Sequence, residues 1–285
     1  MVKPVVSSGD SLLKEAVNGR EPFSPIVAQH VFKRYIALLY RLCVEENNRY
    51  DVLVGPGDSG AVMVYFAELF YKAVHQPVPP KLVLPVQRYV DPDNQATELY
   101  DNSALLPSAV RQLAGLSVSK ALFVDDEIWQ ANSAGACARL LAGALPEDAA
   151  QKRIVFTIVA ENHGFEWHHD VPPIAIQYYA FSKRIIGVNN AVLRFLTADQ
   201  QRALNEFTKI YLDPTEMDGQ TRKMDLLCNG QIKVPSRTAG VAPVFREVAV
   251  KANLAELKSQ VESELMLLIR EAIEEYKQKQ ILFVF

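Results

Sequence analysis

The sequence has few cysteines, no excess of basic residues and no long apolar segment. Its three cysteines, Cys43, Cys137 and Cys228, are odd in number and far apart, which excludes a disulfide framework and a CxxC metal clip. Thirty basic against 33 acidic residues give a net charge of -3, whereas general nucleic-acid binders carry a basic excess. No apolar run approaches the roughly 20 residues of a membrane helix, and the N-terminus lacks the apolar stretch of a secretory signal. We therefore expect a soluble cytoplasmic protein with reduced thiols, no nucleic-acid partner and no membrane segment.

Short apolar runs alternate with helical patterns over the first two thirds of the chain. A helix is predicted from Pro25, with Ser24 as its N-cap, to about Glu45. Further helices are predicted from Gly60, over 104–115 and from Ser133, and strands over 52–54, 80–86, 120–126, 153–160 and 174–180. This alternation indicates an α/β fold with a mostly parallel twisted sheet flanked by helices. Right-handed crossovers then place all carboxyl ends of the strands at one edge, where such folds bind ligands.

The composition changes after about residue 187. We expect an α/β domain with N-terminal helices over 1–190 and a mainly helical C-terminal region over 191–285, with a polar, turn-rich segment at 213–240. Near the C-terminus, apolar residues recur on one stripe of a long predicted helix. These residues are Leu254, Leu257, Val261, Leu265, Leu268 and Ile273. The stripe predicts that this helix covers the core; the alternative is that it pairs with a second copy in a homodimer.

A glycine-rich turn, VGPGDSGA at 54–61, joins the first predicted strand to a helix. Such a turn can form a nest of backbone N–H groups that binds phosphate oxygens. It lacks the Gly-Lys-Ser/Thr of a Walker loop and a complete dinucleotide fingerprint. The alternative interpretation is a tight strand-to-helix turn that requires small residues.

Two adjacent acids, Asp125 and Asp126, end the strand ALFV and are followed by a helix that starts near Asn132 and Ser133. Neighbouring carboxylates at a strand end can accept hydrogen bonds from vicinal hydroxyls, directly or through a hydrated divalent cation. The N–H groups of the helix start can bind a phosphate. The alternative is a solvated acidic turn that caps the helix.

The segment ALFVDDEIWQANSAGACARLL resembles the phosphoribosyl diphosphate (PRPP) signature of type I phosphoribosyltransferases, and DVLVGPGDSGAVM resembles the pyrophosphate loop of that family. The polar segment 87–103, which follows LVLPV, occupies the position of the mobile catalytic loop. The resemblance covers residues 25–187, and all three elements occur in the family's order. It implies a phosphoribosyltransferase fold, a phosphosugar or nucleotide ligand, Mg²⁺ as cofactor, and transfer of a phosphoribosyl group to an unidentified base with release of pyrophosphate.

The resemblance also implies roles for individual residues. Asp125 and Asp126 would bind the ribose hydroxyls and hold Mg²⁺ through water, and Arg88 would cover the departing pyrophosphate. The 5-phosphate loop would comprise Gln130, Ala131, Asn132 and Ser133, and the pyrophosphate site Gly57, Asp58, Ser59 and Gly60. In this loop Gln130 stands where the family has its first threonine, Ala131 stands where it has glycine, and Ser133 keeps the last hydroxyl.

A third polar cluster, ENHGFEWHHD at 161–170, follows the fourth strand of the predicted sheet. In the family this position contributes to the base pocket, which implies that Phe165 and Trp167 stack on the base. Alternatively, these residues form a metal site: His163, His168, His169, Glu161, Glu166 and Asp170. Three functions therefore stay open: a phosphoribosyltransferase, a non-catalytic nucleotide- or PRPP-binding regulatory or assembly protein, and a metal-dependent hydrolase.

Overall fold

The computed structural model describes residues 25–84, 86–90, 97–100, 115–128, 131–143, 153–162, 167–183, 197–199, 202, 231–236, 244–249 and 255–281. Its helices are α1 Pro25–Tyr40, continued by a π-helical turn Arg41–Glu45, α2 Gly57–Ala73, α3 Asn132–Gly143 and α4 Ala255–Lys277. Its strands are β1 Val52–Pro56, β2 Lys81–Leu84, β3 Gln87–Val90, β4 Thr97–Tyr100, β5 Lys120–Ile128, β6 Ile154–Asn162, β7 Ile174–Lys183, β8 Gln231–Ser236 and β9 Val244–Ala249.

Five of these strands form one parallel sheet in the order β2–β1–β5–β6–β7. The predicted α/β class, with a parallel sheet flanked by helices, is thereby confirmed. From β1 the chain goes to β2 on one side and later returns to β5 on the other side, so the strand order reverses between β1 and β5. Open parallel sheets bind ligands at the carboxyl ends of the strands beside such a reversal. The fold therefore directs attention to the ends of β1 and β5.

Helices cover both faces of this sheet. On one face, apolar residues of α1 are buried together with residues of α2, and Phe32 of α1 contacts Phe66 of α2 edge to face. On the other face, small residues of α3 lie over aromatic side chains of β5 and β6. Each large side chain buried in this way stabilises the fold by about 1.5–3 kcal/mol. Cys43 and Cys137 are buried in these two cores as free thiols, as predicted.

The C-terminal helix α4 packs on the first of these two cores. Four residues of the predicted apolar stripe are buried: Val261, Leu265, Leu268 and Ile273. Leu257 is partly buried against the same core, Leu254 is outside the described residues, and Ile269 and Ala272 are buried although the stripe did not include them. Polar contacts reinforce the packing, because Lys33 of α1 forms ion pairs with Glu271 and Glu275 at 3.1 and 2.5 Å. The hydroxyl of Tyr65 in α2 also donates a 2.9 Å hydrogen bond to Glu262. The prediction that this helix covers the core is confirmed.

Two antiparallel hairpins were not predicted. The first pairs β3 with β4 inside the segment 87–103, which was predicted to be a loop. The second pairs β8 with β9, partly inside the turn-rich segment 213–240. The strands of the first hairpin have no alternation of apolar and polar residues that would predict them. In β8 the residues Gln231 to Val234 do alternate, but Pro235 follows them, and proline within such a run weakens the prediction of a strand.

Several predictions concern parts of the chain outside the described residues. The helix predicted over 104–115 and the proposed domain boundary near residue 190 both fall in this category. Within the described residues, no helix combines the length and the apolar character needed to cross a membrane.

Candidate functional site

The turn between β1 and α2 leaves no room for side chains at its glycines. A methyl group on Gly60 would overlap the ring of Pro56 and the backbone of Gly55, and one on Gly55 would overlap the backbone of Gly60. Gly57 has a φ of +50°, and a methyl group there would lie 2.7 Å from the carbonyl oxygen of Val86. The end of the strand and the start of the helix are therefore in direct backbone contact, as the tight-turn interpretation requires.

The start of α2 has the features of an anion site. Its N-cap residue, Pro56, makes no side-chain capping hydrogen bond. The first N–H groups of a helix have no partner within the helix and carry a partial positive charge, so they attract anions. Because α2 follows β1 directly, this positive end lies at the carboxyl edge of the sheet, beside the strand-order reversal.

The predicted acid pair lies on a bulge in β5. The strand continues to Ile128, two residues beyond its predicted end, and its register with β6 shifts after Val124. As a result, Asp125 and Asp126 together lie opposite a single residue of β6, Ala160. Bulges bend a strand and redirect its side chains, and they are common beside active sites.

Hydrogen bonds join the acid pair to the glycine-rich turn. Ser59 Oγ donates a 3.0 Å hydrogen bond to Asp125 Oδ1, and the N–H of Asp126 donates to the same oxygen at 3.0 Å. The N–H of Glu127 donates to Asp126 Oδ1, also at 3.0 Å. Asp125 is only 6% exposed, whereas Asp126 and Ser59 are partly exposed. The structure thus brings together two predicted site segments that are 66 positions apart in the sequence.

The two acids differ from ordinary aspartates in their protonation. Burial raises the pKa of Asp125 well above its usual value, and the nearby Asp126 carboxylate and a hydrogen bond between the two carboxyl groups raise it further. Loss of solvation, followed by repulsion from Glu127, raises the pKa of Asp126 to about 6. Asp126 is therefore ionised above about pH 6, whereas Asp125 keeps its proton to a higher pH than an ordinary aspartate does.

This protonation predicts that the free energy of unfolding falls as the pH rises from about 4 through about 6. An acid whose pKa is raised by folding binds its proton more tightly in the folded chain, so its stabilising effect is present at low pH and is lost as the proton leaves. Urea unfolding at pH 4.5, 6 and 7.5 measures how the free energy of unfolding changes with pH. In the double variant Asp125→Asn/Asp126→Asn, the free energy of unfolding should not show this fall with pH. The same pH dependence in the variant and the natural chain would contradict the prediction.

The start of α3 has an unusual backbone conformation. Ala131, directly before the first helical residue Asn132, has a φ of +54°, and its carbonyl oxygen accepts a 2.7 Å hydrogen bond from the N–H of Gly135. Glycine adopts this conformation most readily, and Ala131 stands where the resembled phosphate loop has glycine. Asn132 and Ser133 are partly exposed. The backbone at position 131 therefore has a conformation typical of glycine, although the residue is alanine.

Substitutions at Ala131 should reveal this strain. Ala131→Val is expected to destabilise the fold by about 2 kcal/mol or more, because a β-branched residue rarely tolerates positive φ. Ala131→Gly should change stability by less than about 1 kcal/mol, since relief of about 1–2 kcal/mol of strain offsets the lost methyl burial. Urea unfolding measures both, with Ala136→Gly as the control. Ala136 is fully buried inside α3, so Ala136→Gly should lower the free energy of unfolding by about 1.5–2 kcal/mol. Equal losses of stability in Ala131→Gly and Ala136→Gly would contradict backbone strain at Ala131.

The segment after β6 folds against the start of α3. The imidazole of His169 packs so closely on Gly135 that a methyl group there would overlap the ring. Trp167 meets His169 edge to face, with ring centroids 5.2 Å apart, and packs against the α3 side of the core. Trp167, predicted in the base pocket, therefore lies near the start of α3. Phe165, the other predicted pocket residue, is outside the described residues.

One acid at the carboxyl edge was not singled out from the sequence as part of this site. Glu161 of β6 is completely buried and is paired in register with Glu127 of β5, just beyond the bulge. Burial, followed by the nearby Glu161 carboxylate, raises the pKa of Tyr178 on β7. The signal available in the sequence was that Glu161 ends an apolar strand, as the acids of β5 do.

The chain contacts the glycine-rich turn just before the hairpin β3–β4 begins. Val86, one residue before β3, places its carbonyl oxygen against Gly57. Arg88 lies on β3, so its backbone is close to the start of α2, but its side chain is outside the described part of the chain, as are the Asp58 side chain and the whole of Gln130.

Metal binding was predicted in two forms. No group of three or more His, Cys, Asp or Glu side chains suited to a metal ion occurs where the structure describes the chain. His168 is exposed and His169 packs on Gly135, while His163 and Glu166 are outside the described residues, so the hydrolase alternative gains no support. A hydrated Mg²⁺ needs only one or two carboxylates beside water and phosphate oxygens. The partly exposed Asp126 carboxylate fits that requirement.

Neither a scan against protein-family models nor a search of curated proteins found a match to this chain. Its function must therefore be argued from the arrangement of the site.

Proposed function

We propose that this chain is a phosphoribosyltransferase-like protein with the corresponding fold. It binds PRPP and Mg²⁺ at the carboxyl ends of β1 and β5, and it transfers the phosphoribosyl group to a nucleobase with release of pyrophosphate. The hydrogen bond from Ser59 to Asp125 carries the proposal, because it joins the glycine-rich turn to the acid pair beside the strand-order reversal. The fold alone would not suffice, since α/β sheets of this kind support many activities.

The chemistry of PRPP matches the order of groups around this crevice. PRPP carries a 5-phosphate and a 1-pyrophosphate on either side of a vicinal diol. The acid pair lies between two helix starts, that of α3 after β5 and that of α2 after β1. Helix starts bind phosphate groups, and carboxylates accept hydrogen bonds from hydroxyls. A ligand with two anionic ends and a central diol therefore suits the site better than a simple phosphate does.

In this proposal each segment has one task. The ionised Asp126 accepts hydrogen bonds from the ribose hydroxyls, the start of α3 holds the 5-phosphate, and the start of α2 holds the pyrophosphate. Arg88 on the adjacent hairpin covers the leaving group, and Trp167 offers an aromatic surface to the base. Asp126 would hold Mg²⁺ through water, and the bound cation would supply positive charge beside the pyrophosphate.

The reaction would break the bond between ribose C1 and the pyrophosphate oxygen and form one between C1 and a base nitrogen, which loses its proton. Positive charge develops on the ribose ring in the transition state. Fixed groups that clamp the leaving group, and a site that excludes water, then provide most of the rate enhancement.

A second candidate is a non-catalytic PRPP- or nucleotide-binding protein. The loop before α3 favours it, because Ser133 alone keeps a family hydroxyl while Ala131 holds the turn at positive φ. Such a protein would bind its ligand at the carboxyl edge of the sheet but would not catalyse the transfer.

Calorimetric titration with PRPP and Mg²⁺, followed by an assay of pyrophosphate release with a panel of bases, tests both candidates. Binding with base-dependent release supports the transferase. Binding without release for every base supports the non-catalytic protein. Absence of PRPP binding would overturn the transferase and would leave only the nucleotide-binding form of the second candidate.

A further inference from the structure

The hydroxyl of Ser59 is already engaged by the acid pair. It donates its hydrogen bond to Asp125 Oδ1 at 3.0 Å. A serine has one O–H donor, and the oxygens of ionised pyrophosphate can only accept hydrogen bonds. While the bond to Asp125 exists, this side chain cannot also donate to pyrophosphate.

The same bond fixes the orientation of Asp125. Its Oδ1 accepts both the Ser59 hydroxyl and the N–H of Asp126, so the two lone pairs of this oxygen are occupied. A hydrogen bond also joins the carboxyl groups of Asp125 and Asp126. Because Asp125 is 6% exposed, it supports its neighbour more than it presents a surface to a ligand.

The tight turn explains how Ser59 reaches β5. The backbone contact between Gly55 and Gly60 brings the first turn of α2 against the end of β1. Ser59 is the third residue of that helix, and β5 is the strand beside β1. The close contact that requires glycine at 55 and 60 thus also places Ser59 within hydrogen-bond distance of Asp125.

We propose that Ser59 is a positioning residue for the acid pair and not a pyrophosphate ligand. Through Asp125 it holds Asp126 in the orientation that receives the ribose hydroxyls, while pyrophosphate binds the N–H groups of α2 without this side chain. This inference rests on the proposed function, because it concerns binding of the same ligand.

The test compares two ligands and three variants by calorimetry with Mg²⁺. Ser59→Thr keeps the hydroxyl, Ser59→Val has the shape of threonine without it, and Ser59→Ala removes it with the smallest change of volume. We expect Ser59→Val and Ser59→Ala to bind PRPP about tenfold more weakly, the effect of losing a hydrogen bond to a carboxyl group. Ser59→Thr should stay within about threefold of the natural chain. Affinity for inorganic pyrophosphate should change by less than about twofold in all three.

The outcomes separate the inference from the proposed function. If the natural chain does not bind PRPP, the proposed function fails, and the inference with it. If the natural chain binds PRPP but Ser59→Val weakens PRPP and pyrophosphate equally, Ser59 is a phosphate ligand and only the inference fails. Unchanged PRPP affinity in both Ser59→Val and Ser59→Ala also overturns it. Circular dichroism identifies a variant that does not fold, and the remaining variant of the pair then decides.

Discussion

The substitution Asp126→Asn should weaken PRPP binding by at least about a hundredfold and should make the folded chain more stable at pH 7.5. Under the proposed function, this change would remove the carboxylate that accepts hydrogen bonds from the ribose hydroxyls and holds Mg²⁺, and charged hydrogen bonds contribute about 1.5–3 kcal/mol each. The gain in stability has the opposite origin. Loss of solvation and the neighbouring Glu127 raise the pKa of Asp126 to about 6, so its charge opposes folding above that pH. Because Asp126 is partly exposed, we expect a gain on the order of 1 kcal/mol.

Asp51→Asn is the matched control, since it removes the same charge at the opposite edge of the sheet. Asp51 precedes β1, and its Oδ2 accepts hydrogen bonds of 2.8–2.9 Å from the N–H and hydroxyl of Ser119 and the N–H of Lys120. Partial burial opposes its charge, but these donors hold the pKa of Asp51 below its usual value. Asp51→Asn should therefore lose about 1–3 kcal/mol of stability and keep its PRPP affinity. Calorimetry and urea unfolding measure both quantities; PRPP affinity at the natural level in Asp126→Asn would contradict the assignment.

The elements that the sequence predicts well are those whose pattern records burial on the sheet. Phe32, Tyr35 and Leu39 repeat at helical spacing because one side of α1 is buried, and they are all fully buried. The run at 121–124 is apolar at every position because β5 is covered on both faces. The sequence also predicts that the site segments lie at one edge of the sheet, since right-handed crossovers put the carboxyl ends of all parallel strands on the same side.

The contacts that define the site could not be predicted in the same way. The bond between Ser59 and Asp125 depends on β5 lying beside β1, and short apolar runs do not specify strand order. The bulge at Asp125 and Asp126 depends on a one-residue register shift against β6, which leaves no periodic trace in either strand. The positive φ of Ala131 could not be predicted either, because alanine, unlike glycine, rarely adopts a left-handed backbone conformation.

A single methyl group at Gly60 should destabilise the fold by about 3 kcal/mol or more, which lowers the melting temperature by roughly 6–12 °C for a domain of this size. The methyl would overlap the ring of Pro56 and the backbone of Gly55. A flexible side chain could move aside, but these are a proline ring and main-chain atoms at the junction of β1 and α2. The gain of about 1 kcal/mol in helix propensity from glycine to alanine cannot offset such an overlap.

Gly143→Ala provides the control for this prediction, because a methyl group on the last residue of α3 would meet nothing within 4 Å. Its stability should stay within about 0.5 kcal/mol of the natural chain or rise slightly. Thermal unfolding followed by circular dichroism compares the two variants. Equal melting temperatures would contradict the close packing of the turn. Where Gly60→Ala still folds, its PRPP affinity should also fall, because separating α2 from β1 moves Ser59 away from Asp125; stability lost without any loss of affinity would show that the turn acts on the fold alone.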